Sequence, residues 1–188
     1  MLTHLRPAIT LTLGFTVLTG LAYPLAITGA AQALFPAQAN GSFVEKDGAV
    51  VGSALIAQAF TGAGYLHPRP SASDYGATPS GASNLGPTNA ALIASVAERR
   101  AAYRAENGVD APIDAVTASA SGLDPDISPE NAAAQAARIA TARNADPAAV
   151  QALIAQHTQA PLLGLYGDPV VNVLQSNLAL DASFPLPK

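Results

Sequence analysis

Arg6 is followed by no charged residue until Glu45, and most of that interval, Pro7–Ala33, reads PAITLTLGFTVLTGLAYPLAITGAAQA. Such a run exceeds the roughly 20 apolar residues that a bilayer-crossing helix needs. Residues 7–34 are therefore predicted to form a transmembrane helix, with residues 1–6 as a short stub before it and residues 35–188 as a single soluble domain after it. Within the helix Thr12, Thr16 and Gly20 recur four apart, a stripe of small side chains against which a neighbouring subunit's helix can pack. Pro24 is expected to free a carbonyl and kink the rod towards its far end. Ala37-Gln38-Ala39 fits a signal-peptidase pattern, but the uncharged run is far longer than the ~7–15 apolar residues of a signal peptide. The helix is expected to be retained.

Beyond the anchor the pattern shortens. Ser42-Phe43-Val44 and Ala49-Val50-Val51 flank Glu45-Lys46-Asp47-Gly48, as in a hairpin with glycine in its turn. Leu55–Phe60 reads as a short apolar helix or strand. Thr61–Pro87 follows, about 27 residues dense in Gly, Pro, Ser and Asn. An irregular stretch of that length either binds something or folds tightly on itself. Thr88 or Asn89 caps a helix predicted to run to about Glu106, with Leu92, Ile93, Val96 and Tyr103 on one face and Asn107-Gly108 as its stop. Ala115–Ser119 reads as a strand. Ser128-Pro129 and Asp146-Pro147 pair a capping side chain with proline at the first helical position, opening helices over 129–143 and 147–158. Asp168-Pro169 repeats the device ahead of Val170, Val173, Leu174 and Leu178. The domain is expected to be α+β or α/β, helix-rich, with few strands.

Composition narrows the chemistry. Nearly half of the 188 residues are hydrophobic, but 42 of them are alanine, and there is neither cysteine nor tryptophan. Disulfides, cysteine-zinc sites and thiol catalysis are excluded. Nine Lys and Arg against thirteen Asp and Glu give a net charge of −4, the wrong sign for nucleic acid. Arg6 precedes the helix, whereas Glu45, Lys46 and Asp47 follow it, so the positive-inside bias puts the stub in the cytoplasm and the domain outside. Lys46 and Lys188 are the only lysines, and there is no phosphate-binding loop and no G-x-S-x-G elbow. His67 and His157 lie far apart. Asp124-Pro125-Asp126 imitates the start of a calcium loop but lacks its glycine and closing acid. Asp74, Asp114, Asp124, Asp126 and Asp168 could serve acid–base work only by converging in space. The chain reads as a binder or subunit; the alternative is a membrane-anchored periplasmic enzyme with its site in the 61–87 loop.

Several ordered blocks carry a family resemblance. They are His67-Pro68-Arg69-Pro70-Ser71-Ala72, Asp74-Tyr75, Ser80-Gly81-Ala82-Ser83-Asn84-Leu85-Gly86-Pro87-Thr88-Asn89, Thr117–Pro129, Gln135-Ala136-Ala137-Arg138 and Val171–Leu178. Together they make the chain resemble the C subunit of the Kdp potassium-transporting ATPase. Ala82 and Asp126 depart from the usual Gly and His of that family. The resemblance implies a bacterial inner-membrane complex in which a channel-like subunit carries potassium, a P-type ATPase subunit hydrolyses ATP, and a small F peptide and this single-pass subunit assist. Membrane lipid would surround the helix, and no nucleic acid, metal or cofactor of the chain's own is implied. The family is described as a catalytic chaperone that raises the ATPase subunit's affinity for ATP, with the glutamine of Q-x-x-R proposed to touch nucleotide; Gln135 and Arg138 fill that motif. The charge asymmetry puts Gln135 on the side of the membrane away from ATP, so the domain is expected to cap the outer mouth of the channel-like subunit. Read from the residues alone, Gln135 and Arg138 form a solvent-facing pair on one helix. Arg69, between two prolines, either projects to a partner or pins its own loop, and Tyr75 and Asn84 are expected to organise that loop, the three joining Thr12, Thr16 and Gly20 as contact candidates.

Overall fold

The computed structural model describes residues 2–187, which fall into two compact units divided after Phe43. In the first, α1 (Leu5–Val17) and α2 (Tyr23–Leu34) are joined without a break by a wider π-helical turn over Leu18–Ala22. Pro24 accounts for that turn. It has no N–H for the Gly20 carbonyl and its ring would crowd that oxygen, and the register widens so that Tyr23 N–H reaches back five residues to Leu18 O. The expected disturbance thus takes the form of a π turn. The 30-residue rod has a mean hydropathy of 1.5 and none of it is buried. At about 1.5 Å per residue it is about 45 Å long, more than the ~30 Å of a hydrocarbon core. After Phe35 a single turn, α3 (Pro36–Ala39), follows, and paired amide hydrogen bonds between Gln32 and Asn40, 3.1 and 3.2 Å, clasp this end.

The second unit opens within β1 (Phe43–Lys46), which forms a hairpin with β2 (Ala49–Ser53). Its turn is two residues, Asp47-Gly48, with φ of 54° and 78°, tighter than the four-residue connection read from the sequence and matched to strand twist. No regular element forms between Ser53 and Ala90, so the helix or strand expected at Leu55–Phe60 is absent. Helix α4 (Ala90–Asn107) is capped by Asn89, which accepts from Ala91 N–H, and closes on Gly108 at φ 74°. Its expected apolar face is only partly used: Leu92, Val96 and Tyr103 are half-buried while Ile93 is exposed.

Where a strand was expected at Ala115–Ser119, one helical turn, α5 (Ile113–Val116), runs into irregular chain. That segment bonds to the 70–81 loop and finds no strand partner. Strand β3 (Asp126–Ile127) precedes α6 (Pro129–Arg143) and α7 (Pro147–Gln156), whose caps Ser128 and Asp146 accept from Asn131 and Ala148 N–H. Strands β4 (Thr158–Gln159) and β5 (Val170–Asn172) lead to α8 (Val173–Ser183). The last helix therefore begins four residues after the Asp168-Pro169 signal. Val170–Asn172 is taken by the central strand of an antiparallel β3–β5–β4 sheet, with Val171 opposite both Ile127 and Thr158, and Asn172 caps α8 by accepting from Gln175 N–H.

The fold is α+β with one candidate span. Its core gathers Ile127, Ala132, Ala136, Ile139, Val150, Ile154, Val171 and Leu180 around α6. Alanine on α6 lets α7 pack closely, a contact worth roughly 25 cal/mol per Å² of apolar surface removed from water.

Candidate functional site

Helix α6 has two buried faces. Ala132, Ala136, Ile139 and Ala140 meet the apolar core; Asn131, Gln135 and Arg143, each under 5% exposed, form a polar row beside it. That row faces the 61–87 loop. Leu66 is fully buried, and two side-chain amides bracket its segment. Leu66 N–H donates to Asn177 Oδ1 at 2.7 Å while Asn177 Nδ2 donates to Leu66 O at 3.0 Å. His67 N–H donates to Gln135 Oε1 at 2.8 Å and Gln135 Nε2 donates to His67 O at 3.2 Å. The amides supply what flanking strands would give an extended chain, and so satisfy buried backbone that has no ladder of its own.

Gln135 is thus not solvent-facing, which corrects the sequence expectation: it is 1% exposed. Its remaining positions are also filled, Nε2 donating to Asn131 Oδ1 at 2.9 Å and Oε1 accepting from Arg138 Nη2 at 2.8 Å. Arg138 is likewise turned inward. Its side chain is 7% exposed, with Nη1 donating to Ala63 O and Nε to Asn107 Oδ1 at 2.9 Å. The i,i+3 spacing does put both on one face; the loop covers that face.

Arg143 ties down the same loop from further along α6. Its guanidinium, with no exposed surface, donates to Gly64 O and Phe184 O at 2.6 Å each, pairs with Asp181 at 2.9 Å, and lies 4.8 Å over the Tyr65 ring. Burial opposes ionisation of Asp181, but hydrogen bonds from Lys46 and Arg143 outweigh it and hold the carboxyl below its ordinary range.

A cleft of about 180 Å³ lies between α4, α6 and the loop, lined by His67, Arg99, Tyr103, Glu106, Asn131 and Gln135. It is smaller than the ~300–1,000 Å³ of typical small-molecule sites. His67 Nε2–H donates to Gly62 O at 3.1 Å and Nδ1 lies 3.4 Å from Glu106. Burial, then the Arg138 charge, outweigh Glu106 and lower its pKa. Tyr103 donates to Asn131 Oδ1 at 3.0 Å, and burial, assisted by Asp114, pushes its phenol up to about 12. A broader groove on the far side of Arg138, about 580 Å³, is lined by Ala63, Glu106, Asn107, Ala137 and Thr141. One internally bonded guanidinium beside one carboxylate gives that groove no net cationic field for phosphate.

The other contact candidates scatter. Arg69 pins its own loop, donating to Asp124 at 2.8 Å and reaching Thr117 O at 3.5 Å. Tyr75, at φ 59°, donates through its hydroxyl to Arg69 O at 2.9 Å. Asn84, at φ 54°, makes a local 3.3 Å bond to Ala82 O. The loop is further zipped to 119–122 through Ser119 N–H to Pro70 O, Gly81 N–H to Ser121 O and Ser71 Oγ to Gly122 O, 2.7–2.9 Å. In the apolar rod Thr16 donates to Thr12 O at 2.7 Å, and Gly20 has open space around it. Of the five aspartates considered for acid–base work, Asp124 and Asp126 are two residues apart in one turn, and Asp114 caps the 128–131 turn through 2.8–3.1 Å bonds. Among the described residues no group of three His, Asp or Glu could hold a metal ion.

Asn131 and Arg143 were not singled out in the sequence, Asn107 was read only as part of a helix stop, and Asn177 only within the Val171–Leu178 block. Asn177 left a signal, standing at the core phase of Val173, Leu174 and Leu180.

A family model described as the K+-transporting ATPase c chain, KdpC, matches residues 5–182. The chain belongs to the KdpC family. Among its KdpC relatives, a protein of Cereibacter sphaeroides named potassium-transporting ATPase KdpC subunit is 63% identical over 183 residues, 97% of this chain and 99% of its own length. One of the same name from Caulobacter vibrioides is 58% identical, covering 98% of this chain and 96% of its own. That from Gemmatimonas aurantiaca is 56% identical, covering 97% and 94%. KdpC membership gives the 30-residue apolar helix Leu5–Leu34 a reading as the single span of a membrane transport component.

Proposed function

We propose that this chain is the single-pass accessory subunit of a potassium-pumping P-type ATPase, with its domain on the extracytoplasmic side. It works by assembling with the channel-like and ATPase subunits and the small F peptide, and carries out no chemistry of its own. The observation that carries this reading is the saturation of Gln135: every donor and acceptor of its amide is used inside the domain. A glutamine that recruited nucleotide would have to abandon the loop it holds. The basic bias about the helix, Arg6 before it and no Lys or Arg after it until Lys46, supports the outward orientation. Raising the ATP affinity of the ATPase subunit would, on this reading, be exerted through contacts between subunits.

Three experiments test it. Tagged chain extracted in mild detergent should bring the channel-like and ATPase subunits with it; recovery of the chain alone from cells that make all of them rejects the proposal. Because the chain has no cysteine, Ala94→Cys on exposed α4 is a unique reporter. It should react with an impermeant maleimide in spheroplasts, and protection until the membrane is broken overturns the orientation. Turnover of a small substrate by the purified chain would favour an anchored enzyme instead.

A further inference from the structure

Between β4 and β5 the chain forms a small hairpin whose tip is almost wholly apolar. Leu162 and Tyr166 exchange both backbone hydrogen bonds at 3.1 Å, and Gly164 N–H closes on Pro161 O at 2.9 Å. The hairpin is ordered by its own backbone, yet its side chains stand mostly in solvent: Leu162, Leu163, Leu165 and Tyr166 are 69–80% exposed. Leu163 moreover sits in the left-handed region at φ 55°, which a branched side chain disfavours. Four large apolar groups held outward on a strained, self-bonded turn are costly to a domain whose alanine-rich core is short of such groups. A preorganised apolar tip of this kind fits a partner's pocket with little further ordering.

Charge selects the occupant. Residues 158–180 contain one charged residue, Asp168 beside the tip, and no Lys or Arg. Anionic lipid headgroups recruit apolar segments that carry basic residues, and this segment has none. A second copy would bring one Asp168 rim against another. We propose that the Leu162–Tyr166 tip plugs an apolar pocket, with a neutral or basic rim, on the extracytoplasmic face of another subunit of the transport complex. The inference rests on the subunit reading above and adds the surface through which the domain docks.

The test uses the full complex in native membranes. A photo-reactive phenylalanine analogue in place of Tyr166 should form an adduct that mass spectrometry assigns to a partner subunit. Adducts to lipid alone or to a second copy overturn the proposal, as does no adduct from an intact complex. Leu162→Ser/Leu165→Ser should reduce co-purified partner subunits at least tenfold with the chain's own melting temperature unmoved. Leu163→Asn, which tolerates the left-handed backbone, should weaken recovery without disturbing the turn. Full recovery with both variants rejects the tip. If the unaltered chain fails to bring down any partner, the subunit reading falls as well; if it does so while the tip meets only lipid, that reading stands and this one fails.

Discussion

Replacing Gln135 with alanine separates an architectural role from a nucleotide-binding one. The truncation removes the acceptor for His67 N–H and the donor to His67 O, bonds of 2.8 and 3.2 Å, and strips Asn131 and Arg138 of a partner each. One orphaned buried donor costs about 1–3 kcal/mol, and the space left by a side chain 1% exposed fills only in part. A total near 3 kcal/mol, at about 2–4 °C per kcal/mol for a chain of this size, lowers the melting temperature by roughly 6–12 °C. The assay is thermal unfolding of the purified full chain, alongside the ATP dependence of hydrolysis by the assembled complex. The melt should fall and the yield of complex with it, while half-saturation by ATP in the complex that does assemble stays within about twofold. An unmoved melt with a tenfold or larger rise in half-saturation would refute the reasoning. Asn177→Ala is the companion variant. It removes the equivalent clamp on Leu66, 2.7 and 3.0 Å, at a residue outside the Q-x-x-R motif, and should reproduce the same pattern.

Arg143→Met breaks a pair whose guanidinium has no exposed surface and orphans the Gly64 and Phe184 carbonyls; a loss of about 3–5 kcal/mol should appear as failure of the chain to accumulate in membranes, and normal accumulation would contradict it. For His67 the folded pKa lies below the ordinary 6.5, so the unfolded chain takes up the proton first; stability is full above pH about 6.5 and is lost as pH falls towards the folded pKa. The melting temperature of wild type should therefore drop between about pH 6.5 and 5 more steeply than that of His67→Gln, and parallel slopes would exclude the effect. Gly122 holds φ 71°, and a Cβ there would meet Ser73 Oγ and come within 2.9 Å of Gly81 O. Gly122→Ala should cost about 1–3 kcal/mol and open the 70–82 segment to limited proteolysis; unchanged cleavage would show that the close approach is dispensable.

How far the sequence revealed the fold depends on how local each signal was. The starts of α6 and α7 were legible to the residue because Ser128-Pro129 and Asp146-Pro147 are complete caps within a few positions. Asp168-Pro169 has the same local chemistry and misled, since pairing with β3 and β4 draws Val170–Asn172 into the sheet first. The Ala115–Ser119 strand failed for the converse reason: β-branched residues were present and a partner strand was not. The rod was plain from its apolar run, and Pro24 announced a disturbance but not that a π turn would absorb it. In the candidate site, the Q-x-x-R spacing placed Gln135 and Arg138 on one helix face correctly. What covers that face is set by contacts 68 and 75 residues away in sequence, beyond any periodicity.

That arrangement also bears on why Gln135 and Arg138 stand three residues apart on α6 in this chain. Helix α6 must pack closely on α7, which its alanines permit, and must hold an extended segment lacking strand neighbours, which calls for amides and guanidinia at fixed heights along its other edge. Gln135 reaches His67, Arg138 reaches Ala63, and Arg143 reaches Gly64, so one helix edge fixes three backbone points of the loop within five residues. A lysine in place of either arginine would bring a point charge but no fork, and a glutamate at 135 would repel the carbonyl at His67. In this chain the geometry of loop-holding accounts for both residues of the motif. What the loop gains is a fixed outer surface, which the proposed docking role would use.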